Sequence, residues 1–193
     1  MKAPQRNTLK ESALFLKNAV LKPKQISYVF PSSRALIQSI AKRSGLDTAK
    51  RIIELGPGTG GTSQGFLREM QDEAQLCAVE INKDFVKYLK NHIHDKRFSV
   101  KHEGAQNLPT ILNQLNWDNA DVIISGIPFS TLPKGMGADI MQSIYKSLKP
   151  KGLFVAYQFR DRVSKLATPV FGHTKSHLEL KNFPPMRIYV WQK

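Results

Sequence analysis

The stretch Arg51-Ile52-Ile53-Glu54-Leu55-Gly56-Pro57-Gly58-Thr59-Gly60-Gly61 decides the fold of this 193-residue chain. Its first half reads as a buried strand, because Ile52, Ile53 and Leu55 are apolar and two are β-branched. Gly56, Gly58, Gly60 and Gly61 then remove side chains over six positions. Backbone without Cβ atoms turns tightly and lets a ligand approach its N–H groups. Gly56, Gly58 and Gly61 satisfy GxGxxG, a pattern that dinucleotide-binding proteins share. Glu54, two residues before Gly56, narrows the choice. A carboxylate there meets the ammonium of a bound amino acid moiety, directly or through water, where a pyrophosphate would only be repelled. The next predicted strand closes with Ala78-Val79-Glu80-Ile81-Asn82, and Glu80 follows Gly60 by 20 residues. An acid at that point takes both hydroxyls of a ribose. The expected cofactor is therefore a nucleoside that carries an amino acid. Its expected contacts are Glu54, Gly56, Pro57, Gly58, Thr59, Gly60, Glu80 and Ile81.

Outward from this stretch the pattern alternates. Strands are predicted at 51–55, 75–81, 97–102, 120–125 and 152–159, with helices at about 61–71, 83–94, 107–115 and 137–148. Units of that length form a parallel sheet with right-handed crossovers. Two more strands are predicted at 176–183 and 187–192, separated only by residues 184–186. So short a connection requires an antiparallel hairpin, since a parallel crossover needs about a dozen residues. Upstream, Ser32 or Ser33 caps a helix that runs to about Arg43, and Gly45 and Asp47 break the chain. The expected fold is α/β, a Rossmann-like seven-stranded sheet of five parallel strands plus a C-terminal antiparallel hairpin, with N-terminal helices. The expected division is a basic helix and capping segment at 1–46, followed by the sheet domain at 47–193.

Glu54-Leu55-Gly56-Pro57-Gly58-Thr59-Gly60 followed by Ala78-Val79-Glu80-Ile81-Asn82 resembles the first two motifs of S-adenosylmethionine-dependent methyltransferases, which makes S-adenosyl-L-methionine the implied cofactor. The third motif departs from that pattern. Many relatives carry Gly-Asp-Ala after the third strand, and the Asp holds the adenine amino group. Here the stretch is His102-Glu103-Gly104-Ala105-Gln106-Asn107, and Gly104 falls where the Asp would be. Gly104 and the Ala105 backbone join the expected cofactor set, with Glu103 or Gln106 open as the replacement for the carboxylate. The fourth strand ends Ser125-Gly126-Ile127-Pro128-Phe129, where an acceptor meets the methyl group. Adenine amino-methylating enzymes carry Asn-Leu-Pro-Tyr or Asn-Ile-Pro-Phe there. The Asn oxygen and a backbone carbonyl receive the amine, and the ring stacks on the base. Gly126 removes that side-chain acceptor, and a polar site that loses its hydrogen-bond partner discriminates poorly for that substrate. The expected acceptor-side residues are Ser125, which also borders the cofactor, with Gly126, Ile127, Phe129 and Tyr28. Packing beneath the loop is the plainer role for Phe129.

Charge narrows the partners. Lys and Arg number 29 against 15 Asp and Glu, a formal charge of +14, which favours polyanions: nucleic acid or an anionic membrane. Thr8 to Leu21 reads as a basic amphipathic helix, with Leu9, Ala13, Leu16 and Val20 on one face and Pro23 after its end. Such a helix lies in a membrane interface or packs over the domain. No apolar run approaches the roughly 20 residues that span a bilayer, and the N-terminus does not read as a secretory signal. The single cysteine, Cys77, sits in a predicted strand, which rules out an intramolecular disulfide and a Cys-rich zinc site; no metal is expected. His173 and His177 read as surface residues, and Arg160, Arg162, Lys165 and Lys175 as a solvated basic face or a holder of a lipid phosphate.

The chain as a whole is similar to the small bacterial phospholipid N-methyltransferases, whose core resembles the ribosomal RNA adenine dimethylases. The likeness rests on Phe15-Leu16-Lys17 ahead of Pro23-Lys24, Phe30-Pro31-Ser32-Ser33, the glycine-rich motif, and Ser125-Gly126-Ile127-Pro128-Phe129 with Leu132-Pro133. It continues through Tyr157-Gln158-Phe159 and Asn182-Phe183-Pro184-Pro185. The resemblance implies methylation of the amine of phosphatidylethanolamine or a related amino lipid, an ornithine lipid included. It also implies a cytoplasmic, peripheral location, held to the inner face of the membrane by the N-terminal helix. The competing expectation is an adenine amino-methyltransferase acting on ribosomal RNA or another nucleic acid. Those dimethylases carry a helical domain after the core, whereas this sequence stops about where its hairpin closes.

Overall fold

The computed structural model describes residues 32–193. The basic helix expected at 8–21 and Tyr28 lie outside the described residues. The chain enters through Ser33, whose hydroxyl accepts the Leu36 N–H at 3.1 Å and so caps α1 (Arg34–Ser44). Gly45 ends α1 in the left-handed region at φ 64°, where a side chain would be strained. From there strands and helices alternate: β1 (Arg51–Leu55), α2 (Gly61–Glu69), β2 (Gln75–Glu80), α3 (Lys83–His92), β3 (Phe98–His102), α4 (Leu108–Leu115), β4 (Ala120–Ser125), α5 (Met136–Ser147), β5 (Leu148–Gln158), α6 (Arg162–Phe171), β6 (Ser176–Glu179) and β7 (Met186–Gln192).

The seven strands form one sheet in the order β3-β2-β1-β4-β5-β7-β6. The first five are parallel, and β7 pairs antiparallel with both β5 and β6, as the predicted hairpin requires. The strands at the centre are apolar on both sides because helices cover both faces. Ile53, Leu55, Ile123, Phe154 and Ala156 pack on one face with α4, α5 and α6. Ile52, Ile124, Val155 and Tyr157 pack on the other with Leu36 and Ile40 of α1, Phe66 of α2 and Leu89 of α3.

Two strand boundaries and one helix differ most from the sequence expectation. β5 begins at Leu148 rather than 152, because Lys149-Pro150-Lys151 continues as strand through an irregularity opposite Ala120 and Val122, with Lys151 at φ 63°. β6 stops at Glu179, so the connection to β7 covers 180–185 instead of 184–186. Asn182 punctuates it: its Nδ2 donates to the Pro184 carbonyl at 2.8 Å, and its Oδ1 accepts the Ser33 N–H at 2.9 Å. Helix α6 was not expected. Pro169 lies inside it and no side chain caps its start, so the usual markers are missing. Its buried face nonetheless repeats at helical spacing, through Val163, Leu166, Ala167 and Val170.

Candidate active site

Strand β1 lies between β2 and β4, so the chain leaves the sheet in opposite directions on its two sides. The crevice at the carboxyl ends of strands at such a switch point is where open α/β sheets bind ligands. The glycine-rich turn occupies that crevice. Gly56, Gly58 and Gly60 take φ values of 71°, 59° and 81°, a run only glycine adopts without strain. A Cβ on Gly58 or Gly61 would meet nothing within 4 Å, so the space over the turn is open to a ligand. A Cβ on Gly60 would come within 2.5 Å of Leu89 Cδ2, so this glycine also lets the turn close onto α3.

Glu80 fastens the turn from β2. Its two carboxylate oxygens accept the Gly58 N–H at 3.2 Å and the Asn82 N–H at 2.8 Å. Burial raises the Glu80 carboxyl above the ordinary range, opposed by the N–H groups of Asn82, Gly58 and Ile81 and by His102. Each oxygen keeps a second lone pair, which is what a ribose diol needs. His102 holds the Ile81 carbonyl at 3.0 Å. After β3, the Glu103 carboxylate accepts from Gly104 N–H at 3.2 Å and from Asn107 Nδ2 at 2.9 Å. The Gln106 amide folds over Gly104, within 2.4 Å of where a Cβ would stand. The volume that an Asp side chain would begin to fill at residue 104 is thus taken by Gln106, while Glu103 is engaged in shaping the turn. Ala105 is buried.

Glu54 is fully buried. Its two carboxylate oxygens receive the hydroxyls of Thr62 and Ser63 from the first turn of α2. Burial lifts its pKa to about 7, against those two hydroxyls and with a smaller push from Glu80. In this arrangement Glu54 presents no surface to a ligand's ammonium; it ties the start of α2 to the end of β1. Thr62 and Ser63 did not stand out in the sequence. The signal was two adjacent hydroxyls directly after a glycine turn and eight and nine residues beyond a strand carboxylate.

The loop after β4 meets the glycine-rich turn directly. Gly126 N–H donates to Leu55 O at 2.9 Å, and Ile127 Cγ1 stands 3.3 Å from the Cβ that Gly56 lacks. Ser125 is fully buried, its Oγ accepting the Ile127 N–H at 3.2 Å. The Ile127 carbonyl already accepts two donors, Phe129 N–H at 2.9 Å and Gln158 Nε2 at 2.7 Å. Phe129 is 2% exposed and belongs to the core under the loop, with Leu108 and Met141. Its ring is therefore held beneath the crevice rather than offered to an acceptor.

Gly126 has a reason beyond the missing hydrogen-bond acceptor. A Cβ there would lie 2.4 Å from the Tyr157 hydroxyl and 3.3 Å from the Gly56 carbonyl oxygen. Tyr157, near the end of β5, fills the space that a side chain at residue 126 would need. Its hydroxyl also bonds with Thr62, which links it to Glu54, and burial and the nearby carboxylate push its pKa up so that it stays protonated. Tyr157 and Gln158 thus flank the loop from β5. The open space over Gly58 and the lone pairs left on Glu80 fit a nucleoside cofactor.

Comparison with known proteins agrees with this geometry. Residues 52–152, more than half of the chain, match the family described as "Methyltransferase domain". The ornithine lipid N-methyltransferase of Singulisphaera acidiphila is 26% identical over 190 residues, covering 94% of this chain and 95% of that protein. Ribosomal RNA small subunit methyltransferase A of Mycoplasma mobile is 24% identical over 126 residues; the match covers 65% of this chain but only 44% of that longer protein. Among solved structures, human N-acetylserotonin methyltransferase in complex with S-adenosylmethionine shares the fold at a TM-score of 0.60 and 12% identity, over 81% of this chain and 51% of that one. The open glycine-rich turn, the acid ending β2 and the family match together make this chain a member of the methyltransferase-domain family, an enzyme that uses S-adenosylmethionine as its methyl donor.

Proposed function

We propose that the chain methylates the amine of an amino lipid, phosphatidylethanolamine or a related lipid such as an ornithine lipid, at an anionic membrane surface. The observation that carries this reading is the packing of Tyr157 against Gly126. An adenine-methylating loop needs a side-chain acceptor at that position, and here the tyrosine hydroxyl stands in its place. The likeness to a lipid N-methyltransferase over nearly the whole of both chains supports the same reading. So does the charge of +14, since each cation near an anionic bilayer contributes about 1 kcal/mol.

Bound S-adenosylmethionine supplies an electrophilic methyl group on a sulfonium. Gly56, Pro57, Gly58, Thr59, Gly60, Glu80 and Ile81 hold it, with Gly104, Ala105 and Gln106 toward its adenine. The protein's task is to seat a neutral amine in line with that methyl group, at about 3–3.5 Å, which alone supplies much of the rate. Ser125, Gly126 and Ile127 form the wall of that seat, and the Tyr157 hydroxyl is the polar group packed against it.

The test is incubation with methyl-labelled S-adenosylmethionine and, separately, vesicles containing phosphatidylethanolamine, vesicles containing ornithine lipid, and total RNA. Label in either lipid supports the proposal and names the acceptor. Label in RNA alone overturns it in favour of nucleic-acid methylation, the reading that the likeness to ribosomal RNA methyltransferases and the basic charge favour.

A further inference from the structure

Large apolar side chains on the described surface are not scattered evenly. Phe159 is 54% exposed, Leu178 42% and Leu180 70%, and all three lie at one corner of the sheet. The register explains why. Gln158 pairs with Arg187, and Glu179 pairs with Met186, so the ends of β5 and β6 flank the start of β7. Phe159 follows Gln158 and stands level with Met186 and Glu179, and Leu180 lies one position further along β6; strand alternation puts Leu178 and Leu180 on one face of the sheet and Phe159 on the other. Strands are spaced about 4.8 Å apart, which sets these two residues roughly 10 Å from each other. Both stand at the carboxyl edge of the sheet, the same edge that holds the glycine-rich turn and the Ser125–Phe129 loop.

The same corner is basic. Residues 159–187 contain six Lys and Arg against two acids, Asp161 and Glu179. Asp161 is paired with Lys165 at 3.6 Å, and Glu179 is turned back on the Lys181 N–H at 3.0 Å. Arg160, Lys175, Lys181 and Arg187 are exposed. Exposed leucines and phenylalanines set among cations are the composition that enters the headgroup layer of an anionic bilayer, the apolar groups in the acyl boundary and the cations on phosphates. Apolar patches on soluble surfaces mark such sites more often than chance. The start of α1 is tied to this corner as well, where Ser33 N–H donates to Asn182 Oδ1 at 2.9 Å.

We infer that the tip of the β5–β7–β6 corner, with Leu178 and Leu180 on one face and Phe159 on the other, is a membrane-docking surface for anionic lipid, a second contact besides the predicted N-terminal helix. It extends the lipid reading of the active site: docking by this corner turns the carboxyl edge, and with it the crevice, toward the bilayer. A lipid amine then reaches the site without leaving the membrane.

Two variants and a binding measurement test this without requiring methyl transfer. The first is Leu180→Trp, mixed with phosphatidylcholine vesicles with and without phosphatidylglycerol; the native Trp117 and Trp191 are buried and give a constant background. Emission from residue 180 should shift to the blue with the anionic vesicles alone. The second is the double variant Leu178→Asp, Leu180→Asp, which should sediment with anionic vesicles about tenfold more weakly. Its melting temperature should be unchanged, because both positions are exposed. The inference is overturned if residue 180 stays silent while the protein sediments with vesicles. It is equally overturned if its emission is already blue-shifted without vesicles, meaning that the chain's own segment covers the corner, or if the Asp variant loses RNA binding but keeps vesicle binding. Because sedimentation is read without cofactor, a failure of lipid methylation leaves this result standing, and the reverse holds too.

Discussion

Residue 126 has no room for a side chain, and that has two consequences that experiment separates. Gly126→Ala drives a methyl group to 2.4 Å from the Tyr157 hydroxyl. We expect it to destabilise the fold by about 1–3 kcal/mol, as overpacking does, and to abolish methyl transfer. Combining it with Tyr157→Phe should recover part of the stability, because the hydroxyl oxygen is the nearest atom; a double-mutant cycle in urea measures the coupling. Glu54 gives a pH signature. Its carboxyl titrates at about 7 in the fold against 4.5 when free. The folded state therefore holds the proton more tightly. This contribution to stability is fully present below pH 4.5 and is lost as pH rises through about 7, worth up to about 3 kcal/mol. Glu54→Gln should be more stable than the parent at pH 8 by that order, and the two should converge near pH 5, read as urea midpoints. Of this site the sequence made the turn, Glu80 and the Gly126 substitution legible, since each is a residue type at a spacing. The approach of Tyr157 to Gly126, the burial of Glu54 and the inward ring of Phe129 depend on which layers pack together, and no local pattern encodes that.

Among the elements, α2 is held at both ends by long-range contacts. Glu54 binds its first turn, and Arg97 binds its last. The Arg97 guanidinium donates to the carbonyls of Leu67, Met70 and Gln71 and forms a 2.7 Å pair with Asp95, which holds that carboxyl below the usual range. Arg97→Met should cost about 2 kcal/mol, mostly by orphaning carbonyls at a helix C-terminus; chemical denaturation checks it. Asn182→Ala should cost about 1–2 kcal/mol and expose the start of α1 to faster hydrogen exchange, since Asn182 bridges Ser33 and Pro184. The sequence yielded the strand–helix alternation because apolar periodicity and flanking glycines mark it. Helix α6 is not legible because Pro169 lies inside it and no side chain caps its start, which masks the spacing of Val163, Leu166, Ala167 and Val170. The β6–β7 connection is longer than the sequence suggests because Lys181-Asn182-Phe183 has strand composition but is held out of the strand by the hydrogen bonds of Asn182.

At the scale of the whole molecule, cofactor binding and stability are linked. S-adenosylmethionine at about 100 times its Kd should add about 2.7 kcal/mol, which is a rise of roughly 5–10 °C in melting temperature for a chain of this length. Gly58→Val should remove that rise, because its Cβ would project into the open ligand space from a φ of 59°; a thermal melt with and without cofactor is the measurement. The sheet itself is completed out of chain order. β7 follows β6 in the chain, yet it lies between β5 and β6. During translation β6 therefore emerges before the strand it leans on, and β5 presents a bare edge until residue 192 is available. A chain that lacks β7 leaves the edge of β5 unpaired, the kind of species that chaperones capture and that otherwise aggregates. This seven-residue strand thus works as a closing wedge.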